Sequence, residues 1–156
     1  MVMISPKLTQ VALRFLGAAA LGLALASASV AQETPTTIDG VSTVTAEEVK
    51  ALLGQGATLC DFRKKASYVE KHIPKATLCK YDEQSAKEAS FNAAEDTFDL
   101  TQLPANKHAK IILHGHGPDG WKGYKAAVAA LKAGYTQIYF FRGGFAEWVA
   151  KGLPTE

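Results

Sequence analysis

The sequence predicts a three-layer α/β domain, with a central, mostly parallel sheet of about five strands and helices on both faces. Three observations point there. Short apolar strand patterns alternate with amphipathic helical ones along the chain. The late strands, Ile111 to His114 (IILH) and Gln137 to Phe141 (QIYFF), are near-continuous apolar runs, as expected of strands buried on both faces. Helix start and stop signals fall between the strands, where crossover helices belong.

Taken in order, Lys7 and Arg14 precede an apolar stretch from Phe15 to Ala26, and Ser29-Val30-Ala31 is a small-x-small site. That order predicts a secretory signal peptide over 1–31, cut after Ala31, because the apolar run is short of the roughly 20 residues of a spanning helix. The expected location is the periplasm, with no membrane attachment after cleavage. Residues 32–43 form a polar leader, turn-rich and loose over 32–40. The domain proper is set at 44–154. Val41 to Val44 reads as a first strand. Thr45 and Glu48 form a capping-box pair for a helix over Ala46 to Leu53, with Gly54 as its stop.

Thr58 to Phe62 (TLCDF) reads as the second strand, Arg63 to Lys71 as a helix ended by Pro74, and Ala76 to Tyr81 as the third strand. The polar stretch Asp82 to Lys110 shows only a short helical pattern near Ser85 to Ala89 and reads as a surface excursion. After Ile111 to His114 comes a glycine-rich loop. Trp121, Tyr124, Val128 and Leu131 then recur at steps of three and four, an amphipathic helix for which Gly134 supplies the left-handed end. The chain closes with Gln137 to Phe141, a Gly143-Gly144 turn and a helix over Phe145 to Lys151.

Charge excludes some classes of partner. Two of the 17 basic residues and none of the 15 acidic ones lie in the signal, so the remainder balances at 15 against 15. No basic stripe favours nucleic acid, and no basic amphipathic helix favours a membrane surface.

Three segments resemble one family and come in its order. Cys60-Asp61-Phe62-Arg63 resembles the strand-end DVR element of rhodanese-like domains. Tyr68 to Ala76 (YVEKHIPKA) is similar to their YxxGHIPGA run, with Lys71 and Lys75 where glycines are usual. Gly134-Tyr135, Gly143-Gly144, Trp148 and Gly152-Leu153-Pro154 are similar to the closing AGY…GG…W…GLP pattern.

The resemblance implies that the loop after the fourth strand should hold a cysteine carrying sulfane sulfur as a persulfide, its thiolate favoured by surrounding N–H groups and a helix N-terminus. In exported relatives that loop resembles YCxGxxCWxSYKAA. Here it reads His114-Gly115-His116-Gly117-Pro118-Asp119-Gly120-Trp121-Lys122-Gly123-Tyr124-Lys125-Ala126-Ala127, so both cysteine positions, Gly115 and Gly120, are glycine, and so is the serine position, Gly123. Glycine offers no nucleophile. The expectation is a module without sulfur transfer, holding a small anion or a periplasmic protein partner through Gly115 to Gly123, with Lys122 adding a cation and Asp119 opposing it.

Rival chemistries remain at this point. Gly115 to Gly120 matches G-x-G-x-x-G, but the loop comes late in a short chain and Phe140 stands where a ribose-binding acid is needed, so no dinucleotide or other cofactor is expected. His114 and His116 flank the missing thiol and are weak candidates for copper or zinc, which needs three or four ligands. Cys60 and Cys79, on strands that neighbour each other in rhodanese-like folds, are a disulfide, two small core residues, or a substitute sulfur carrier. Asp61 and Arg63 end a strand on the functional edge and read as supports, Asp61 accepting backbone N–H groups and Arg63 capping carbonyls or pairing with an acid.

Overall fold

The structure, a computed structural model, describes residues 30–156. The expected signal sequence therefore lies outside the described residues except for its last two positions, Val30 and Ala31. Among the described residues no helix is long and apolar enough to cross a membrane.

Five strands form one sheet: β1 (Ser42–Thr43), β2 (Thr58–Asp61), β3 (Ala76–Leu78), β4 (Ile111–His114) and β5 (Ile138–Phe141). Their order is β1-β5-β4-β2-β3, and every pairing is parallel. The helices are α1 (Ala46–Gly54), α2 (Lys65–Glu70), α3 (Trp121–Lys132) and α4 (Gly144–Ala150). Two separate cores flank the sheet. One joins Leu113 and Phe140 to Trp121, Tyr124 and Ala127 of α3. The other joins Leu59, Ile112 and Phe141 to Val49 and Leu53 of α1 and Trp148 of α4. The alternation of side chains along each strand divides its residues between these cores, which is why β4 reads as an unbroken apolar run.

Local chemistry explains the boundaries. Thr45 and Glu48 make the expected capping box on α1. Gly54 does not stop that helix. It stays helical, and the left-handed turn falls on Gly56 at φ 83°. Gly134 takes the left-handed position after α3 at φ 90°, where Tyr135 N–H returns to the Ala130 carbonyl at 3.1 Å. Lys75 adopts φ 69° at a position where the resembled motif has glycine. A Cβ is disfavoured there by roughly 1–2 kcal/mol, so the chain carries local strain before β3.

Two further expectations fail. Ser85 to Ala89 forms no helix. The stretch is bent, because its polar groups bind a buried lysine instead of continuing a helical ladder, and short 3-10 turns follow at Ala93–Glu95 and Leu100–Gln102. Residues 32–40 are not wholly loose, since Thr34 is buried against the loop that follows β4. β1, Ser42–Thr43, lies inside the strand expected over Val41 to Val44 and pairs with β5.

Candidate functional site

The parallel register aligns Asp61 with His114, and His114 with Phe141, at the carboxyl ends of the three central strands. Open α/β sheets gather their sites at that edge. The loop from Gly115 to Gly120 leaves β4 there and enters α3. It borders an open cleft of about 400 Å³ whose walls include Phe62, Arg63, Lys87, Trp121 and Lys122.

Every carbonyl of the loop is taken. The Gly115 carbonyl accepts Phe145 N–H at 3.1 Å, and the His116 carbonyl accepts Ala146 N–H at 2.8 Å. Gly117 accepts from Gly120 at 2.8 Å, Asp119 from Trp121 at 3.0 Å and Gly120 from Tyr124 at 3.4 Å. Pro118 accepts both the amide (2.7 Å) and the hydroxyl (2.8 Å) of Thr34. In a trans peptide the carbonyl and the next N–H point opposite ways. The amides of His116, Gly117 and Asp119 are therefore turned away from those donors. Lys122 and Gly123 add amides from the first turn of α3, which has no intrahelical acceptors for them. Among the described residues none of these five amides has a protein acceptor.

The glycines serve this geometry by close approach. A Cβ on Gly115 would lie 3.1 Å from Gly120 Cα, one on Gly120 2.9 Å from the Gly117 carbonyl oxygen, and one on Gly123 3.0 Å from the His114 carbonyl carbon. The loop folds onto itself, and α3 seats against β4, closely enough that a side chain at any of these three positions would require the backbone to shift. Gly117 has ordinary space and is not under this constraint.

Charge around the cleft is net cationic once the buried pairs are removed. Asp61 holds Arg63 through several contacts, including Nη2 to Oδ2 at 2.7 Å, and accepts the Arg63 amide at 2.9 Å. Arg63 also donates to the Lys71 carbonyl and stacks 3.8 Å from the Phe145 ring centroid. Arg63 thus both pairs with an acid and caps a carbonyl, and Asp61 accepts a backbone N–H. Glu83, on the cleft wall, is 2.9 Å from Nζ of the fully buried Lys125. Lys64, Lys87 and Lys122 then face Asp119 alone.

His114 and His116 are not brought together. His114 is wholly buried while His116 is exposed. His114 Nδ1 donates to the Gly115 carbonyl at 2.9 Å, and Nε2 lies 3.7 Å from Asp61 Oδ2 without a hydrogen bond. Burial pushes the imidazole below its usual range, with the Asp61 charge opposing. Among the described residues no group of three or more His, Cys, Asp or Glu is placed to hold a metal.

Cys60 and Cys79 are joined in a disulfide across neighbouring strand ends, with Cα atoms 5.5 Å apart, both buried and neither on the cleft. This overturns the free-thiol readings: as a disulfide, neither sulfur is a thiolate able to take up sulfane sulfur.

Sequence reasoning missed two groups. One is the buried cluster of Lys125, Glu83, Ser85 and Asp96, in which Lys125 donates to the Ser85 hydroxyl at 2.8 Å and carbonyl at 3.1 Å. Burial would raise the Asp96 carboxyl, but hydrogen bonds from Ser85, Gln84 and Tyr81 outweigh it and hold it at about 2. The available signal was Lys125 itself, one turn from Trp121 on the apolar face of α3. The other group is Gln32, Thr34 and Arg142, which carried no sequence signal at all.

The profile of the rhodanese-like domain family matches residues 45–151. The chain belongs to that family. Solved structures similar to this rhodanese-like chain include the Alr3790 protein from Anabaena sp., at 25% identity over 72% of this chain and 79% of that one, with a TM-score of 0.53. A thiosulfate sulfurtransferase from Pseudomonas aeruginosa is 22% identical over 76% of this chain but only 20% of its own length, with a TM-score of 0.52. A rhodanese-related protein from Thermoplasma volcanium is 15% identical over 74% of this chain and 97% of its own, also with a TM-score of 0.52. The parallel five-stranded sheet with helices on both faces is thus the rhodanese-like fold.

Proposed function

We propose that this rhodanese-like protein works in the periplasm as a binder of small anions and does not carry sulfur. One observation carries the reading: Gly115 stands where the resembled loop has its cysteine, and the loop carbonyls around it are all engaged, leaving five amides without a protein acceptor, three of them on the cleft-lining residues His116, Asp119 and Lys122. The α3 N-terminus and the lysines of the cleft favour negative charge at the same place. The signal sequence and the disulfide support an oxidising compartment.

Thiosulfate serves as the probe. Calorimetric titration is expected to show binding that weakens as salt is added, since the attraction is largely electrostatic. Incubation with thiosulfate and cyanide is expected to yield no thiocyanate above background. Thiocyanate formation that disappears in Cys60→Ala or Cys79→Ala would overturn the proposal, and so would the absence of thiosulfate binding.

A further inference from the structure

The family match begins at residue 45, and the segment before it makes an unexpected set of contacts. Thr34 is 2% exposed, although it sits in a polar stretch. Its N–H and its hydroxyl both donate to the Pro118 carbonyl, at 2.7 and 2.8 Å. Its own carbonyl accepts Nε and Nη2 of Arg142, at 3.1 and 2.8 Å, and Nη2 also reaches Glu33 Oε2 at 2.8 Å. Two residues earlier the Gln32 carbonyl accepts the indole N–H of Trp121 at 2.7 Å. One short strap thus grips the loop at Pro118, the first residue of α3 at Trp121, and the segment after β5 at Arg142.

We infer that residues 32–34 are a positioning strap for the amide-lined loop, and that the loop holds its ligand-ready geometry only while Thr34 occupies the Pro118 carbonyl. This rests on the anion-binding reading of the loop for its functional consequence, though not for its structural one. The physical reason lies in the peptide that joins Pro118 to Asp119. While Thr34 supplies two donors on one side, the Asp119 N–H is turned to the other. Without them the carbonyl has no protein donor, and rotation of the peptide would put an acceptor where the loop presents donors. Trp121, a wall of the cleft, is held by the same strap through the Gln32 carbonyl. A glycine-rich loop has little stiffness of its own to resist that rotation. The strap therefore supplies from outside the family domain the rigidity that the loop's composition withholds.

The substitution Thr34→Pro removes both donors to Pro118 at once, and Thr34→Val removes the hydroxyl alone. Hydrogen exchange of the unliganded protein should show the hydrogen-bonded amides at the end of the loop, Gly120 and Trp121, exchanging about tenfold faster in Thr34→Pro, with a smaller rise in Thr34→Val, as two hydrogen bonds of ordinary strength allow. Amides of β4 and of the α3 interior should not change. Thiosulfate affinity should fall about tenfold in Thr34→Pro while the thermal midpoint moves little. Unchanged exchange in the loop would overturn the strap. Faster exchange with unaltered thiosulfate affinity would overturn its link to the ligand. If the unsubstituted protein binds no thiosulfate, the anion-binding reading fails instead, and the exchange measurement still decides the strap.

Discussion

Replacing Lys125 with methionine tests how the domain manages a charge in its core. Methionine keeps much of the unbranched stem and deletes the ammonium. Lys125 is fully buried, its Nζ lies 2.9 Å from Glu83 Oε2 and 3.8 Å from Asp96 Oδ2, and the Glu83 side chain is only 9% exposed. Asp96 retains donors from Ser85, Gln84 and Tyr81, so it survives the change. Glu83 does not, and is stranded against the cleft. Removing one partner of a buried pair destabilises by about 3–5 kcal/mol, mostly because the other charge is left uncompensated. Urea unfolding should show that loss. Adding Glu83→Gln to the same chain should recover about 2 kcal/mol, since the stranded charge is then gone. The single variant should also bind thiosulfate more weakly at low salt, with an unneutralised carboxylate beside the loop, and the double variant should regain that affinity. A loss under about 1 kcal/mol for the single variant, or no recovery in the double, would refute the argument that the ion pair is desolvated and that Lys125 neutralises the cleft wall.

The buried His114 makes stability depend on pH in a defined direction. Its folded pKa is depressed by burial, so as pH falls through about 6.5 the unfolded chain takes up a proton that the folded chain refuses, and stability declines until the folded pKa is reached. Urea unfolding between about pH 7 and pH 5 should show the decline, and His114→Asn should flatten it; an equal slope in that variant would refute the assignment. Gly115→Cys restores a thiol at the loop. Its Cβ would sit 3.1 Å from Gly120 Cα, a contact relieved by a small backbone shift costing about 1 kcal/mol. Intact mass after thiosulfate treatment should show a gain of one sulfur, and no gain would mean the amides do not favour a persulfide.

Much of the fold was written in local patterns. The capping box at Thr45 and Glu48, the apolar run of β4, the three-and-four spacing of α3 and the left-handed Gly134 each act within a few residues, so each was read correctly from sequence. Misreadings came where distant residues intervened. Ser85 leaves the helical ladder because Lys125, 40 residues away in sequence, claims its polar groups.

The sequence by itself determined the architecture and the absence of a nucleophile at Gly115, since periodicity and side-chain identity are local properties of the chain. Only the tertiary structure decided how the loop is held. The disulfide needs two strand ends placed side by side, and the occupied carbonyls need α4 and Thr34 to arrive from opposite ends of the chain. Hydrogen-bond donors carry no label naming their acceptor. A threonine in a polar leader becomes part of a binding loop only when the sheet brings its partner within 3 Å.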